Sequence, residues 1–241
     1  MDTKVVTAAL AQYIDAHRTE LARVPVIQSQ LLELGALVLT AEHYRLNGYL
    51  IKVSNLVDSK FRVKRTSAGK PWRFSWFTAA RGKHRVEIHA NLPVAGAYGK
   101  DGGRYVVDVA VCKPDFLPSR PEGQRAWISA DNDILITFVE AKKLTIYPML
   151  LAQFIGIVHE LQPRFLGGRN SAMFAAGKHF SPTLVTTGPW AKSCAQIYSE
   201  FDARRFRILV VPNLDLTLAA IGGGADFRSP FRKQVVSENR R

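Results

Sequence analysis

Residues 3–23 carry a hydrophobic pattern with the period of a helix, because their apolar positions fall on one stripe. A second helix is predicted from Pro25 to Leu46, with proline in its first turn and Asn47-Gly48 as its end. Both helices precede every clear strand.

Alternating or continuous apolar runs then predict strands. They cover residues 49–57, 84–92, 104–112 and 133–143, and a shorter alternation through Trp72, Phe74 and Trp76 also favours a strand. The link at 113–132 is too long for a hairpin. We interpret it as a lid, a contact loop or a further strand near residues 125–129.

Helical spacing returns at residues 147–161, where Met149, Leu150, Phe154, Val158 and Leu161 form one apolar stripe. A short strand at 181–188, a helix at 190–205 and a buried strand at 205–214 follow. This order predicts an α/β fold, with a central mixed sheet flanked by helices and right-handed crossovers in its later part.

Length and composition indicate one domain with extensions. The chain has 241 residues, 47% of them hydrophobic and 22% charged, as in ordinary soluble proteins. We expect a helical extension at 1–25, the main domain at 26–215 with a basic aromatic insertion at 61–85, and a tail at 216–241.

The charge balance points to a polyanionic partner. Thirty-three Lys and Arg against 20 Asp and Glu give a net charge of +13, so nucleic acid is the first partner to consider. A merely basic protein is the alternative. Cys112 and Cys194 lack zinc-ligand spacing. Because no membrane span or signal-peptide pattern is visible, we expect no membrane partner and a cytoplasmic location.

Residues 61–85 concentrate this positive charge, since they contain no acid and five interleaved aromatic residues. Side chains expected to contact phosphates or to stack on bases are Arg62, Lys64, Arg65, Lys70, Trp72, Arg73, Trp76, Arg81, Lys83 and Arg85. The alternative is a solvated hairpin whose tryptophans pack on the core, which does not explain the lack of acids.

Two acids interrupt strands that otherwise look buried. Asp108 lies inside YVVDVAVC, and Glu140 lies two residues before Lys142 at the end of ILITFVEAKK. Burying a carboxylate is costly unless it is paired or bound to a cation. Because side chains alternate along a strand, Glu140 and Lys142 share a face, and Asp108 can lie opposite them. We predict a Mg2+ site here; a structural salt bridge among the three residues is the alternative.

The expected roles follow from the chemistry of these groups. The carboxylates of Asp108 and Glu140 and the backbone carbonyl of Ala141 are hard oxygen ligands. Lys142 could orient or help to deprotonate a water, or neutralise charge in the transition state.

Asp108, then Glu140-x-Lys142, then a helix beginning near Tyr147 resembles the PD-(D/E)xK nuclease superfamily, whose fold is restriction-endonuclease-like. The resemblance covers about residues 26–211. It implies a Mg2+-dependent endonuclease of the restriction, defence or repair type, with Mn2+ as a substitute and DNA as the first substrate. The chain departs from the family's pattern in having no proline before Asp108 and about thirty residues between the two acids.

The resemblance also suggests supporting residues. Gln153, on the helix after Lys142, would position a metal-bound water or the lysine, and Glu33 would add an acid to the metal; each could instead be a solvent-facing helix residue. Glu42 is a weaker rival to Glu33, and Glu87 is another strand acid that could face the site. Cleavage of both strands of a duplex would favour a homodimer.

Two other functions remain open from the sequence. One is a non-catalytic nucleic-acid-binding protein that retains the nuclease fold, against which the intact Asp108, Glu140 and Lys142 argue. The other is an α/β protein acting on a small anion, which no phosphate-loop motif supports.

Overall fold

A seven-stranded mixed sheet forms the centre of the protein in the computed structural model, which describes residues 25–99, 103–117, 129–167 and 179–214. The strands lie side by side in chain order: β1 (Leu50–Ser54), β2 (Trp76–Arg81), β3 (His84–Ala95), β4 (Arg104–Cys112), β5 (Leu135–Lys142), β6 (Thr183–Thr186) and β7 (Leu209–Val211). Strands β1 to β5 are antiparallel, and β5, β6 and β7 are parallel. The predicted helix at 3–23 and the tail at 216–241 lie outside the described residues.

Helices cover both faces of this sheet. Helix α1 (Pro25–Leu46) packs through Leu32, Leu37 and Leu39 on one face. Helices α2 (Pro148–Leu161) and α3 (Cys194–Ala203) pack on the other face. The predicted α/β fold, with a mixed sheet between helices, is therefore confirmed.

The bounds of α1 match the sequence prediction. The chain leaves the helix through Gly48, which has a φ of +81°, a left-handed conformation that glycine adopts without strain. Tyr49 then donates its backbone N–H to the Tyr44 carbonyl. This turn leads directly into β1, at the edge of the sheet.

The strand predicted through Trp72, Phe74 and Trp76 is wrong. Residues Pro71–Arg73 form a short 3-10 helix, and β2 begins only at Trp76. Pro71 has no backbone N–H to give to a sheet, and its fixed φ suits the first position of a helical turn. The Phe74 N–H instead bonds the Pro71 carbonyl within that turn.

The apolar stripe predicted for α2 needs one correction. Leu150, Phe154, Val158 and Leu161 are buried, but the Met149 side chain is 61% exposed. Leu151, fully buried, packs in the core instead.

The long link at 113–132 is described only in part, because residues 118–128 lie outside the described set. Ala130 forms a parallel bridge to Val94 at its end. In the described part of the chain, no helix is long and apolar enough to cross a membrane.

Candidate active site

The antiparallel pairing of β4 and β5 brings the two predicted acids together. Val109 pairs with Val139, so Asp108 and Glu140 occupy the next positions along the two strands. The Asp108 Oδ2 atom accepts the Ala141 backbone N–H at 2.7 Å. This bond fixes the Asp108 carboxylate against the backbone of β5.

Lys142 joins both carboxylates. Its Nζ atom lies 2.8 Å from Glu140 Oε2 and 3.1 Å from Asp108 Oδ2. Glu140 and Lys142 alternate with Val139 and Ala141, which belong to the core beneath α1. The three side chains that sequence singled out are therefore in contact.

Glu140 is the least satisfied of these groups. It is 4% exposed, and its Oε1 atom is buried without a hydrogen-bond partner in the described structure. Burial, aided by the negative charge of Asp108, raises the pKa of Glu140 to about 7. A buried oxygen without a donor is unusual in a native fold and suggests a position for a ligand.

The pKa of Lys142 is also raised, but by its neighbours and not by burial. Burial alone would lower its pKa, but the neighbouring carboxylates of Glu140 and Asp108 outweigh that effect and raise the pKa above its ordinary value. The Lys142 side chain is 37% exposed, compared with 12% for Asp108 and 5% for Glu140. Lys142 is thus the member of the site most open to solvent.

Glu33, on α1, interacts electrostatically with Asp108 and Lys142 of this trio. Its Oε2 atom accepts a 3.0 Å hydrogen bond from the Asn91 side-chain amide. Burial raises the pKa of Glu33, and the charge of Asp108 acts in the same direction while that of Lys142 opposes it. These interactions place Glu33 within electrostatic range of the site.

The two rival acids lie elsewhere. Glu42 forms a two-bond ion pair with Arg45 near the end of α1. Glu87 is buried in β3, where it bonds His89 and the backbone N–H of Asp115. Of the three acids left open by the sequence, Glu33 is the one whose surroundings include Asp108 and Lys142.

The donor set fits a hard divalent cation such as Mg2+. Two acidic side chains supply carboxylate oxygens, and the Oε1 atom of Glu140 has no competing donor. In the described ranges, no group of three or more His, Cys, Asp or Glu side chains is arranged to hold a metal. Magnesium usually keeps several waters and takes only one or two protein carboxylates, so two acids are compatible with it.

Gln153 does not join the site. It is exposed on α2, and within the described structure it makes no hydrogen bond to Asp108, Glu140 or Lys142. A role in positioning water or the lysine stays a prediction. A different glutamine, Gln162, is buried and donates its side-chain amide to the Leu135 carbonyl.

The basic segment 61–85 divides into exposed and buried cations. Most of its predicted phosphate-binding side chains are exposed: Arg62, Arg65, Arg73, Arg81, Lys83 and Arg85. Lys64 is 2% exposed, and its ammonium donates to three backbone carbonyls. Because an ammonium has three N–H donors, Lys64 has none left for a phosphate. The prediction that Lys64 contacts a phosphate is therefore wrong.

The tryptophans of this segment are covered by other side chains. The Lys70 ammonium lies 5.3 Å from the centre of the Trp72 ring. Trp76 stacks on His89 at 5.2 Å between ring centres, and its indole N–H is buried. A base could stack on the contacted face of either ring only if that neighbour moved.

One residue of the site's surroundings escaped sequence reasoning. Asn91 is buried in β3 with a φ of 50°, and it contacts both Glu33 and Lys64. The available signal was an asparagine, followed two residues later by Pro93, within an apolar strand. Asparagine tolerates left-handed backbone better than most residues, and proline disfavours a regular central strand.

Comparison with known proteins yields one distant structural likeness. No protein-family model and no curated protein sequence matches the chain. Among solved structures, the MspJI restriction endonuclease in complex with a 27-mer oligonucleotide aligns with 97% of this chain, at 13% sequence identity and a TM-score of 0.30. The chain spans 34% of that protein. A likeness at this TM-score carries no argument, so the function must be argued from the site.

Proposed function

We propose that the protein is a divalent-metal-dependent endonuclease that hydrolyses phosphodiester bonds in nucleic acid, with DNA as the expected substrate. The observation that carries the proposal is the buried, unpartnered Oε1 atom of Glu140, on a residue that shares the Lys142 ammonium with Asp108. Burying these acids costs free energy, which a bound cation would offset.

Asp108, Glu140 and the Ala141 carbonyl would hold Mg2+, or Mn2+ in its place. Glu33 forms no three-acid cluster with them in the described residues, so it would take part through a metal-bound water. The bound ion would polarise the phosphate and lower the pKa of a coordinated water. Carboxylates must be ionised to bind metal. With the pKa of Glu140 at about 7, metal affinity should therefore fall below neutral pH.

Lys142 is suited to neutralise charge on the scissile phosphate. Its raised pKa keeps the ammonium protonated at neutral pH, which favours this role over removal of a proton from water. Its partial exposure leaves the amino group accessible to substrate. Asp108 and Glu140 orient the ammonium through the two short contacts described above.

The exposed cations of segment 61–85 would hold the substrate by its phosphates. Arg62, Arg65, Arg73 and Lys83 are exposed there and need no base to be unstacked. Such contacts would bind nucleic acid without regard to sequence, and the affinity would fall with salt.

A second candidate is a non-catalytic nucleic-acid-binding protein. The same exposed cations favour it, because they would bind phosphates whether or not the carboxylates hold a metal. The homodimer and the cytoplasmic location also remain predictions.

A plasmid-nicking assay separates the two candidates. Supercoiled plasmid is incubated with wild type, Glu140→Ala or Lys142→Ala in Mg2+, Mn2+ or EDTA. Glu42→Ala is the matched control, since Glu42 pairs with Arg45 away from the site. We expect metal-dependent nicking by wild type and the control, and its loss in both site variants. If plasmid, single-stranded DNA and RNA all survive while wild type and variants bind them equally, the binding function replaces the catalytic one.

A further inference from the structure

A buried chain of hydrogen bonds links the candidate active site to the basic segment. It begins at Glu33, whose carboxylate accepts from the Asn91 side-chain amide at 3.0 Å. The same amide donates to the Lys64 carbonyl at 3.0 Å. In the other direction, the Lys64 ammonium donates to the backbone carbonyl of Asn91 at 2.6 Å.

Lys64 also closes the loop that follows it. Its ammonium donates to the carbonyls of Thr66 at 2.6 Å and Ser67 at 3.0 Å. Burial lowers the pKa of Lys64 to about 8, so the cation is held where a charge is costly. The three carbonyls offset that cost only while the loop keeps this shape.

Asn91 occupies a special point of the sheet. It lies beside Asp108, between the pairs Ala90–Val109 and Leu92–Val107 of β3 and β4. The residues on the two sides of this point pack in different cores. Ala90 and Val109 belong to the core beneath α1, and Leu92 and Val107 belong to the core beneath α2.

The backbone of Asn91 is left-handed at this point. A φ of 50° at residue 91 interrupts the regular alternation of β3, in which residues 90 and 92 would lie on the same side. Asparagine accepts this conformation at lower cost than most side chains, and its amide reaches two partners from there. Asn91 thus serves backbone geometry and hydrogen bonding together.

We infer that Asn91 and Lys64 are positioning residues: they orient the Glu33 carboxylate beside the site, and they fix residues 64–67 to β3 at the point where it runs beside Asp108. The inference rests on the proposed metal-dependent function for the role of Glu33. Partners that orient a metal's ligands commonly contribute tenfold or more to metal affinity. The substrate-binding segment and the metal site would then be ordered by one set of contacts.

The variants for a test follow from the backbone of Asn91. Asn91→Gly keeps a left-handed φ and removes the amide. Asn91→Asp keeps the shape and turns a donor into an acceptor facing Glu33. Asn213→Gly is the matched control, because Asn213 is an exposed asparagine with a φ of 54°. Lys64→Met is matched by Lys52→Met, at an exposed lysine of β1.

Two readouts on the full chain test the inference, with thermal melting as a check on folding. The first is Mn2+ binding by calorimetry without nucleic acid. Asn91→Gly and Asn91→Asp should weaken it about tenfold or more, and Asn213→Gly should leave it unchanged. The second is the rate of tryptic cleavage after Arg62 and Arg65. The Asn91 variants lose the amide bond to the Lys64 carbonyl, and Lys64→Met loses the three bonds that the ammonium donates. Either loss should speed the cleavage about tenfold, and neither control should change it.

The outcomes separate this inference from the proposed function. If folded Asn91 variants bind Mn2+ as wild type does, the positioning of Glu33 is wrong even where the segment loosens. If tryptic cleavage is unchanged in all three variants, the link to the segment is wrong. If wild type binds no Mn2+ and cuts no nucleic acid, the proposed function fails, and tryptic cleavage alone decides whether Asn91 and Lys64 fix the segment.

Discussion

Two buried glutamates on the same sheet differ in how their charge is satisfied. Glu87 in β3 is 2% exposed, and both of its oxygens have donors: His89 bonds Oε2, and the Asp115 N–H bonds Oε1. Glu140 in β5 is 4% exposed; its Oε2 atom contacts the Lys142 ammonium, whereas its Oε1 atom has no donor, and the Asp108 carboxylate beside it can bond it only through a shared proton. Burial of an acid in a strand is therefore no sufficient sign of function; the unpartnered oxygen makes the difference.

The difference extends to the cations around each acid. Arg85 beside Glu87 is paired with Asp115 at 3.0 Å and lies 3.8 Å from Glu87 itself. Lys142 is shared between two carboxylates and remains partly exposed. The Glu87 cluster is thus closed by the protein's own groups, whereas Glu140 keeps one oxygen without a donor beside a partly exposed lysine.

The largest expected effect separates the two acids by activity. Glu140→Gln removes a proposed metal ligand and should lower the cleavage rate by more than about a hundredfold, since even supporting partners of a ligand are worth 10 to 100. Glu87→Gln keeps the shape of a residue outside the site and should cut within a few-fold of wild type. Initial rates of plasmid nicking in Mg2+ provide the measurement. Equal losses in the two variants would abolish the distinction drawn between them.

A smaller effect separates them by stability, and it depends on pH. The folded-state pKa of Glu140 is about 7, above its ordinary 4.5. The stabilisation that its proton provides is therefore full below pH 4.5 and is lost as the pH rises through 7. Compared with wild type in EDTA, Glu140→Gln should gain up to about 3 kcal/mol at pH 8, and little at pH 4.

Glu87→Gln should instead lower the stability of the folded protein at pH 8. It weakens two buried hydrogen bonds to a charged acceptor and should lower the free energy of unfolding by about 1 to 3 kcal/mol. Urea unfolding of both variants at the two pH values provides the comparison. A loss of stability in Glu140→Gln at pH 8 would show that the Glu140 charge is already well satisfied.

The smallest effect concerns the cations. Arg73 is exposed and forms no ion pair with the described residues, so Arg73→Gln should reduce the slope of log affinity against log salt by about one. Arg85→Gln should change the slope less, because Asp115 and Glu87 already neutralise Arg85. DNA binding in EDTA at several salt concentrations measures both slopes. A larger change for Arg85 would move the substrate surface towards the Glu87 cluster.

Much of the fold could be predicted from local pattern. Helix α1 is bounded by Pro25 and Asn47-Gly48, the strands β3 to β5 are long apolar runs, and helix α2 carries an apolar stripe, so these signals survive the neighbouring context. The 3-10 turn at Pro71–Arg73 could not be predicted from the alternating aromatic residues, which indicate a strand. The proline, which lacks a backbone N–H, was the signal against that strand. The contacts of Asp108, Glu140 and Lys142 were anticipated because polar residues in buried strands need partners.

The surroundings of the site could not be predicted in the same way. The hydrogen bond between Asn91 and Glu33 joins residues 58 positions apart. The periodicity of the sequence does not indicate which of the acids forms such a long-range contact. Lys64 looked like a phosphate-binding cation because a run of positive charge is usually solvated. Its burial depends on three carbonyls that only the folded loop brings together.

A Mn2+ soak of crystals of this protein, read by anomalous scattering, would show whether Asp108 and Glu140 bind a metal ion. We expect a peak about 2.1 Å from a carboxylate oxygen of Asp108 and from Oε1 of Glu140, as for a small octahedral cation. A site filled by the Lys142 ammonium alone, with no peak between the two acids or with a peak only at Glu87, would contradict it.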